Sequence, residues 1–164
     1  MTVVITDSSP LNCLTLIGSV GVLHRLYGTV IVPPQVISEL IDTAAPQNVR
    51  EWASDLPKWI EVRETTVCDD EMTHLDPGER AAIVLAQSEP GALLLIDETA
   101  GRVEASRRGI RNTGTLGVLR AAALEDYVDL PTALAQLLET NFRVSMELVT
   151  ALLAEDAERR RRTE

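Results

Sequence analysis

The sequence predicts an α/β protein whose parallel sheet is covered by helices on both faces. Two observations predict it: short β-rich runs alternate with helical stretches along the chain, and those runs, such as "VVIT", "TVIVP" and "ALLLID", are apolar on both sides. A strand with one wet face alternates polar and apolar residues, whereas one buried on both faces reads as a continuous apolar run. At 164 residues and 45% apolar composition, one domain over residues 1–164 has enough material for its own core.

The elements follow in order. The first strand, Val3 to Thr6, ends on Asp7. Ser8 and Ser9 are good helix caps and Pro10 suits a first helical position, so the next helix, "PLNCLTLIG", needs nothing from Asp7. A short helix, "GVLHRLYG", closes at Gly28, and the strand "TVIVP" runs into "PQVISELIDTA", where Val36, Ile37, Leu40 and Ile41 have helical spacing. Residues 46–56 read as a helix, "WIEVRE" as a strand, "PGERAAIVLAQ" as a helix and "ALLLID" as a buried strand. "ETAGRVEASRR" is helical, "GIRNT" is a short strand, and "TLGVLRAAALED", "PTALAQLLET" and "SMELVTALLAEDAERR" are closing helices. There is no repeat and no low-complexity linker.

Charge and cysteine content exclude several classes. A net charge of −10 argues against a diffuse nucleic-acid-binding surface, which needs local positive potential. Among 15 basic residues Lys58 is the sole lysine, and arginines gather at Arg102, Arg107, Arg108 and Arg111 and in the tail Arg159 to Arg162, which suits a helix C-terminus. Cys13 and Cys68 fit no zinc spacing, and "MTVVITD" has no basic or long apolar leader, so a reducing cytoplasm is the expected setting. No apolar run approaches the roughly 20 residues that cross a bilayer, and a membrane role is not expected.

The candidate chemistry lies in acids. Functional groups of an open parallel sheet collect beyond the carboxyl ends of its strands. Asp7 ends one strand there, and "LLLIDE" puts Asp97 in the same position on another. Glu39, early in the helix after "TVIVP", and Glu79, in "DPGERAAIVLA", lie near the same edge. Carboxylates converging without His or Cys fit Mg²⁺ or Mn²⁺ and not Zn²⁺, and point to metal-assisted phosphodiester hydrolysis. Each acid also has a purely structural explanation. Asp76 to Glu79 has capping-box spacing, Glu39 suits a solvated helix flank, and Asp97 could cap the helix beginning at Glu98 or Thr99.

Six stretches, taken in order, carry a resemblance: Ile5-Thr6-Asp7-Ser8-Ser9-Pro10-Leu11, then "IVPPQVISEL", "LDPGERAAIVLA", "LLIDETAGRVEA", "TGTLGVL" and "LETNFRVSMELVTALL". In them the chain resembles the PIN-domain nucleases, particularly their DUF3368-like branch of toxin-like proteins from prokaryotic toxin–antitoxin pairs. The resemblance implies a three-layer α/β/α, Rossmann-like PIN fold with about five parallel strands in the order 3-2-1-4-5, which sets Asp7 beside Asp97. It also implies a Mg²⁺- or Mn²⁺-dependent endoribonuclease whose catalytic and metal-binding acids are Asp7, Glu39, Glu79 and Asp97. The implied partners are RNA, a cognate antitoxin and a second copy of the chain.

Two positions depart from the family pattern. Glu79 stands where many relatives have Asp, and Glu98 replaces the second acid of an Asp-Asp pair, which keeps Glu98 as a reserve ligand. Ser8, Thr113 and Thr115 are candidates to orient water or a phosphate oxygen, with helix capping as the alternative for Ser8 and Thr115. Arg102 and Arg108 are the expected RNA contacts. An aspartyl-phosphate enzyme is disfavoured because Lys58 lies far from a late strand and the residues after Asp7, Ser8 and Ser9, lack the second acid of a DxD motif. A flap-type DNA nuclease would need an added helical arch. A non-catalytic PIN-like module that binds RNA or a partner remains the rival reading. Leu134, Leu137 and Leu138, with Leu148, Leu152 and Leu153, form wide apolar stripes on the last two helices and suggest a homodimer.

Overall fold

Each predicted strand appears, but as a core of three residues. The computed structural model describes residues 2–65 and 70–164. The chain runs β1 (Val4–Thr6), α1 (Ser8–Leu16), α2 (Val22–Tyr27), β2 (Val30–Val32), α3 (Pro34–Ile41), α4 (Gln47–Ser54) and β3 (Ile60–Val62). A 3₁₀ turn (Asp70–Met72) then leads to α5 (Pro77–Gln87), β4 (Leu93–Leu95), α6 (Thr99–Arg107), β5 (Arg111–Thr113), α7 (Thr115–Leu124), α8 (Leu130–Leu138) and α9 (Met146–Thr163). The sheet order is β3-β2-β1-β4-β5 and every pairing is parallel, as expected of the three-layer fold.

Alternation along the strands explains the layers. Val4 and Leu95 enter the core beneath α1, α7 and α8, whereas Ile5, Leu94 and Ile96 enter the core beneath α5 and α6. Successive side chains of a strand point to opposite faces, so the central strands β1, β2 and β4 are apolar on both sides apart from Thr6, while the edge strands β3 and β5 carry polar residues. The chain builds outward from β1 through β2 to β3, then returns to lay β4 on β1's other edge. That reversal opens a crevice beyond the carboxyl ends of β1 and β4.

The start of α1 differs from expectation. Asp7, and not Ser8 or Ser9, occupies the cap position, and its side chain makes no capping bond. Strand pairing continues one residue past β1, since Asp7 N–H donates to the Leu95 carbonyl at 2.9 Å. This holds Asp7 in extended backbone (φ −79°, ψ 175°), so the helix begins at once and the carboxylate is left for other use.

The stripes on the last two helices are mostly spent inside the chain: Leu134, Leu137 and Leu152 are buried. Leu138 and Leu148 stay exposed, joined by Leu124 and Met146. The tail arginines pair with acids, Arg159 and Arg160 reaching the buried Asp156 at 3.1 and 3.0 Å. Among the described residues no helix is long and apolar enough to cross a membrane. Cys13 is a buried free thiol, and Cys68 lies outside the described residues.

Candidate metal centre

Asp7 lies at the middle of the crevice and is almost fully buried, at 2% exposure. Its Oδ1 has no hydrogen-bond partner among the described residues. A carboxylate oxygen removed from water without a partner costs free energy unless a proton or a cation compensates. Burial pushes the Asp7 carboxyl up to about 7, with Asp76, Glu39 and Asp97 adding repulsion and the Ser8 backbone N–H opposing it.

Asp7, Glu39 and Asp76 each present one oxygen, and these lie within 4.8 Å of one another. Three hard oxygen donors at that spacing, one of them from the acid whose other surroundings leave an oxygen unpartnered, fit a divalent cation of the Mg²⁺ or Mn²⁺ type. Glu39 is not the solvated residue its sequence position allows. It spans to α5, where its Oε1 accepts from Gly78 N–H at 3.0 Å. Burial raises its carboxyl, and the Ser8 hydroxyl and Gly78 N–H work in the opposite direction.

Gly78 is required by that approach, because a Cβ there would lie 2.5 Å from Glu39 Oε1. The obstructing atom is the end of a flexible side chain, so Gly78→Ala can be relieved by swinging Glu39 away. Alanine inside a helix is favoured over glycine by roughly 1 kcal/mol. Gly78→Ala should therefore leave the metal-free melting temperature unchanged or slightly raised while weakening Mn²⁺ binding about tenfold or more. Calorimetric titration beside a thermal melt checks both halves; unaltered Mn²⁺ affinity would remove Glu39 from the site.

Asp76 is the residue that sequence reasoning assigned to capping alone. It does cap α5, accepting from Glu79 N–H at 2.8 Å, yet it also completes the oxygen triad. The capping-box signal hid the second role because one carboxylate has two oxygens and the motif accounts for only one. Glu79, expected as a ligand, is outside the triad. It is buried beside Gly101, and burial together with the neighbouring Asp76 carboxylate pushes its carboxyl up to about 8.

Asp97 is likewise outside the triad but close enough to raise Asp7. It does not cap α6, whose cap position is Glu98. Because β4 and β5 are neighbours, Asp97 instead meets the start of α7: Thr115 N–H and the Thr115 hydroxyl donate to Oδ1 and Oδ2, both at 2.7 Å. The Ser9 hydroxyl adds a third bond, to Oδ2 at 2.8 Å. Ser9 was visible in sequence only as a cap. Thr115 thus orients an acid and neither caps a helix nor faces solvent. Thr113 packs its hydroxyl against Gly117, while Ser8 lowers the Glu39 carboxyl and Glu98 bears electrostatically on Glu79.

The arginines part company. Arg102 is exposed and reaches Asn112 at a long 3.5 Å. Arg108 is not an open RNA contact: its side chain is 9% exposed and pairs with the equally hidden Glu104 at 2.7 Å. Arg107 and Arg108 hold the Glu104 carboxyl down at about 2. Removing Arg108 leaves Arg107 as the remaining guanidinium on Glu104, so the hidden acid is less well compensated. Arg108→Ala should lower stability by about 2 kcal/mol, which is roughly 4–8 °C for a chain of this size, readable in a thermal melt.

A parallel α/β/α sheet in this order, with carboxylates gathered at its reversal point, defines a nuclease-type fold of the PIN class. The chain belongs to the PIN-domain family: residues 3–158 match DUF3368, a PIN domain. PIN domains are generally metal-dependent nucleases, and an acidic triad able to hold a metal is present here. No curated protein and no solved structure matches the chain.

Proposed function

We propose that this protein is a Mg²⁺- or Mn²⁺-dependent endoribonuclease that hydrolyses single-stranded RNA and acts in the cytoplasm as the toxin of a toxin–antitoxin pair. The observation that carries the reading is the orphaned Oδ1 of buried Asp7 inside a PIN-domain acidic cluster. Asp7, Glu39 and Asp76 would hold the cation, with Asp97 and Glu79 beside them. The cation, when bound, supplies activation of water and neutralises charge building on the phosphate. The chain's own groups prepare the site. Thr115 and Ser9 fix both oxygens of Asp97, Gly78 N–H fixes Glu39, and Asp7 surrenders its proton when a ligand occupies the cluster. The serine at the cluster, Ser9, donates its hydroxyl to Asp97 at 2.8 Å and is not set up as an activated nucleophile, so the proposed nucleophile is water.

The test is product chemistry. Purified protein in Mg²⁺ or Mn²⁺ should cut single-stranded RNA internally, leaving 5′-phosphate and 3′-hydroxyl ends, and should stop in EDTA. A 2′,3′-cyclic phosphate, or cutting that survives EDTA, would contradict the mechanism. RNA retained without cutting would favour the non-catalytic binding module. The toxin role rests on the family branch, and copurification of a cognate antitoxin from the native host tests it.

Association is part of the proposal. Leu124, Leu138, Met146 and Leu148, between 40% and 60% exposed, lie on α7, α8 and α9 and support a homodimer. Light scattering should give twice 17.9 kDa; a clean monomer at working concentration would contradict it.

A further inference from the structure

A cavity of about 880 Å³ opens beside the carboxylates, between α1, the start of α6 and the connection from α8 to α9. This is within the roughly 300–1,000 Å³ typical of small-molecule sites. Ser9, Asn12, Cys13 and Leu16 line it from α1, at the i, i+3, i+4, i+7 spacing of one helical face. At 1.5 Å per residue that face leads about 10 Å away from Asp97. Asp97 and Glu98 close the near end, and Phe142 and Arg143 stand in the α8–α9 connection.

Three features give the cavity a preference. Arg143 is the one cation among the described residues that line it, and it makes no ion pair with any described residue in a chain of net charge −10, where most arginines are paired. Phe142, the sole phenylalanine, is half-buried: it packs partly on the core and turns the rest toward the cavity wall. The loop that carries it is held in place, since Phe142 N–H donates to the Thr140 hydroxyl at 3.2 Å and that hydroxyl donates to the Leu137 carbonyl at 2.6 Å. Asn12 supplies an amide that can both donate and accept.

We propose that this cavity seats one unpaired nucleotide of an RNA strand next to the carboxylate cluster, with Phe142 stacking on its base and Arg143 pairing with its phosphate. The assignment rests on the nuclease reading of the adjoining acids. Aromatic stacking tolerates any base but needs that base unstacked from a duplex, so the cavity selects single-stranded substrate and not a particular sequence. The guanidinium also offsets the acidic wall that Glu98 and Glu139 create, which would otherwise repel a phosphate.

The experiment measures binding of a fluorescein-labelled single-stranded RNA 12-mer in Ca²⁺, across a salt series, by the full chain and its Phe142→Leu, Arg143→Gln and Arg143→Glu variants. Arg143→Gln should weaken binding about tenfold and lower the salt slope by roughly one phosphate contact, and Arg143→Glu should weaken it further. Phe142→Leu should weaken it about tenfold with the salt slope unchanged. A double-stranded RNA of the same sequence should bind at least tenfold less well. Mn²⁺ affinity should be the same in all four proteins, because none of the changes touches the oxygen triad. Arg143 is exposed, so its variants decide the matter even where Phe142→Leu lowers stability. Wild type that binds and cuts RNA while both Arg143 variants bind it equally well would overturn the nucleotide seat and leave the nuclease reading standing. Wild type that neither binds nor cuts RNA would overturn both.

Discussion

Asp7→Asn is expected to lower RNA cleavage by several orders of magnitude in Mg²⁺ or Mn²⁺, and Asp97→Asn to do the same by a different route. Asp7 contributes a buried oxygen that has no partner among the described residues, so its amide removes both a candidate ligand and a negative charge from the centre of the cluster. Asp97 keeps its surroundings after substitution. Its Oδ1 position must still accept from Thr115 N–H, but Oδ2 faces two hydroxyls, Ser9 and Thr115, which can rotate to accept from an amide. Asp97→Asn should therefore fold with a stability change of only about 1 kcal/mol while losing activity. Single-turnover cleavage beside a thermal melt separates the two effects. A metal-free Asp97→Asn protein that does not fold would assign that carboxylate to anchoring α7 and not to chemistry.

The second large effect concerns the metal-free protein. Asp7 titrates near 7 in the fold against an ordinary 3.8, and Glu79 near 8 against 4.5. Between those values the unfolded chain gives up protons that the fold retains, so both groups take stability away as pH rises from about 4 toward about 8. For Asp7 the shift corresponds to a loss on the order of 4 kcal/mol once the site is ionised. Asp7→Asn should accordingly raise the metal-free melting temperature at pH 8 by several degrees and make it less sensitive to pH. Mg²⁺ or Mn²⁺ should stabilise wild type, increasingly so from pH 6 to 8 as the protons leave, and should not stabilise Asp7→Asn. If wild type and Asp7→Asn respond to the metal alike, the cluster is not a metal site.

How far the sequence could be read depends on where the cause of each feature lies. The order and type of the elements were legible because each strand's double-sided apolarity and each helix's periodicity are local consequences of burial on two faces. Asp7 and Asp97 stood out as candidates because each is an acid at the end of a buried strand, and the fold places Asp7 in the oxygen triad and Asp97 outside it. Glu39 could not be distinguished from a solvated helix residue, since its partner, Gly78 N–H, is 39 residues away in the chain. Arg108 read as an open cation because its helix periodicity does not announce that Glu104, one turn earlier, lies under the surface.

By itself, then, the sequence determined the α/β class and the acidic edge with its oxygen donors, both of which follow from residue type and spacing. Tertiary structure alone decided which acids share a site. Laying β4 against β1 and packing α3 on α5 bring Asp7, Glu39 and Asp76 within 4.8 Å, and put Glu79 behind them and Asp97 beside them. A carboxylate's role is set by the donors and charges around it in space. Those come from helix N-termini, at Gly78 and Thr115, that meet the acids only once the sheet has been assembled in this order.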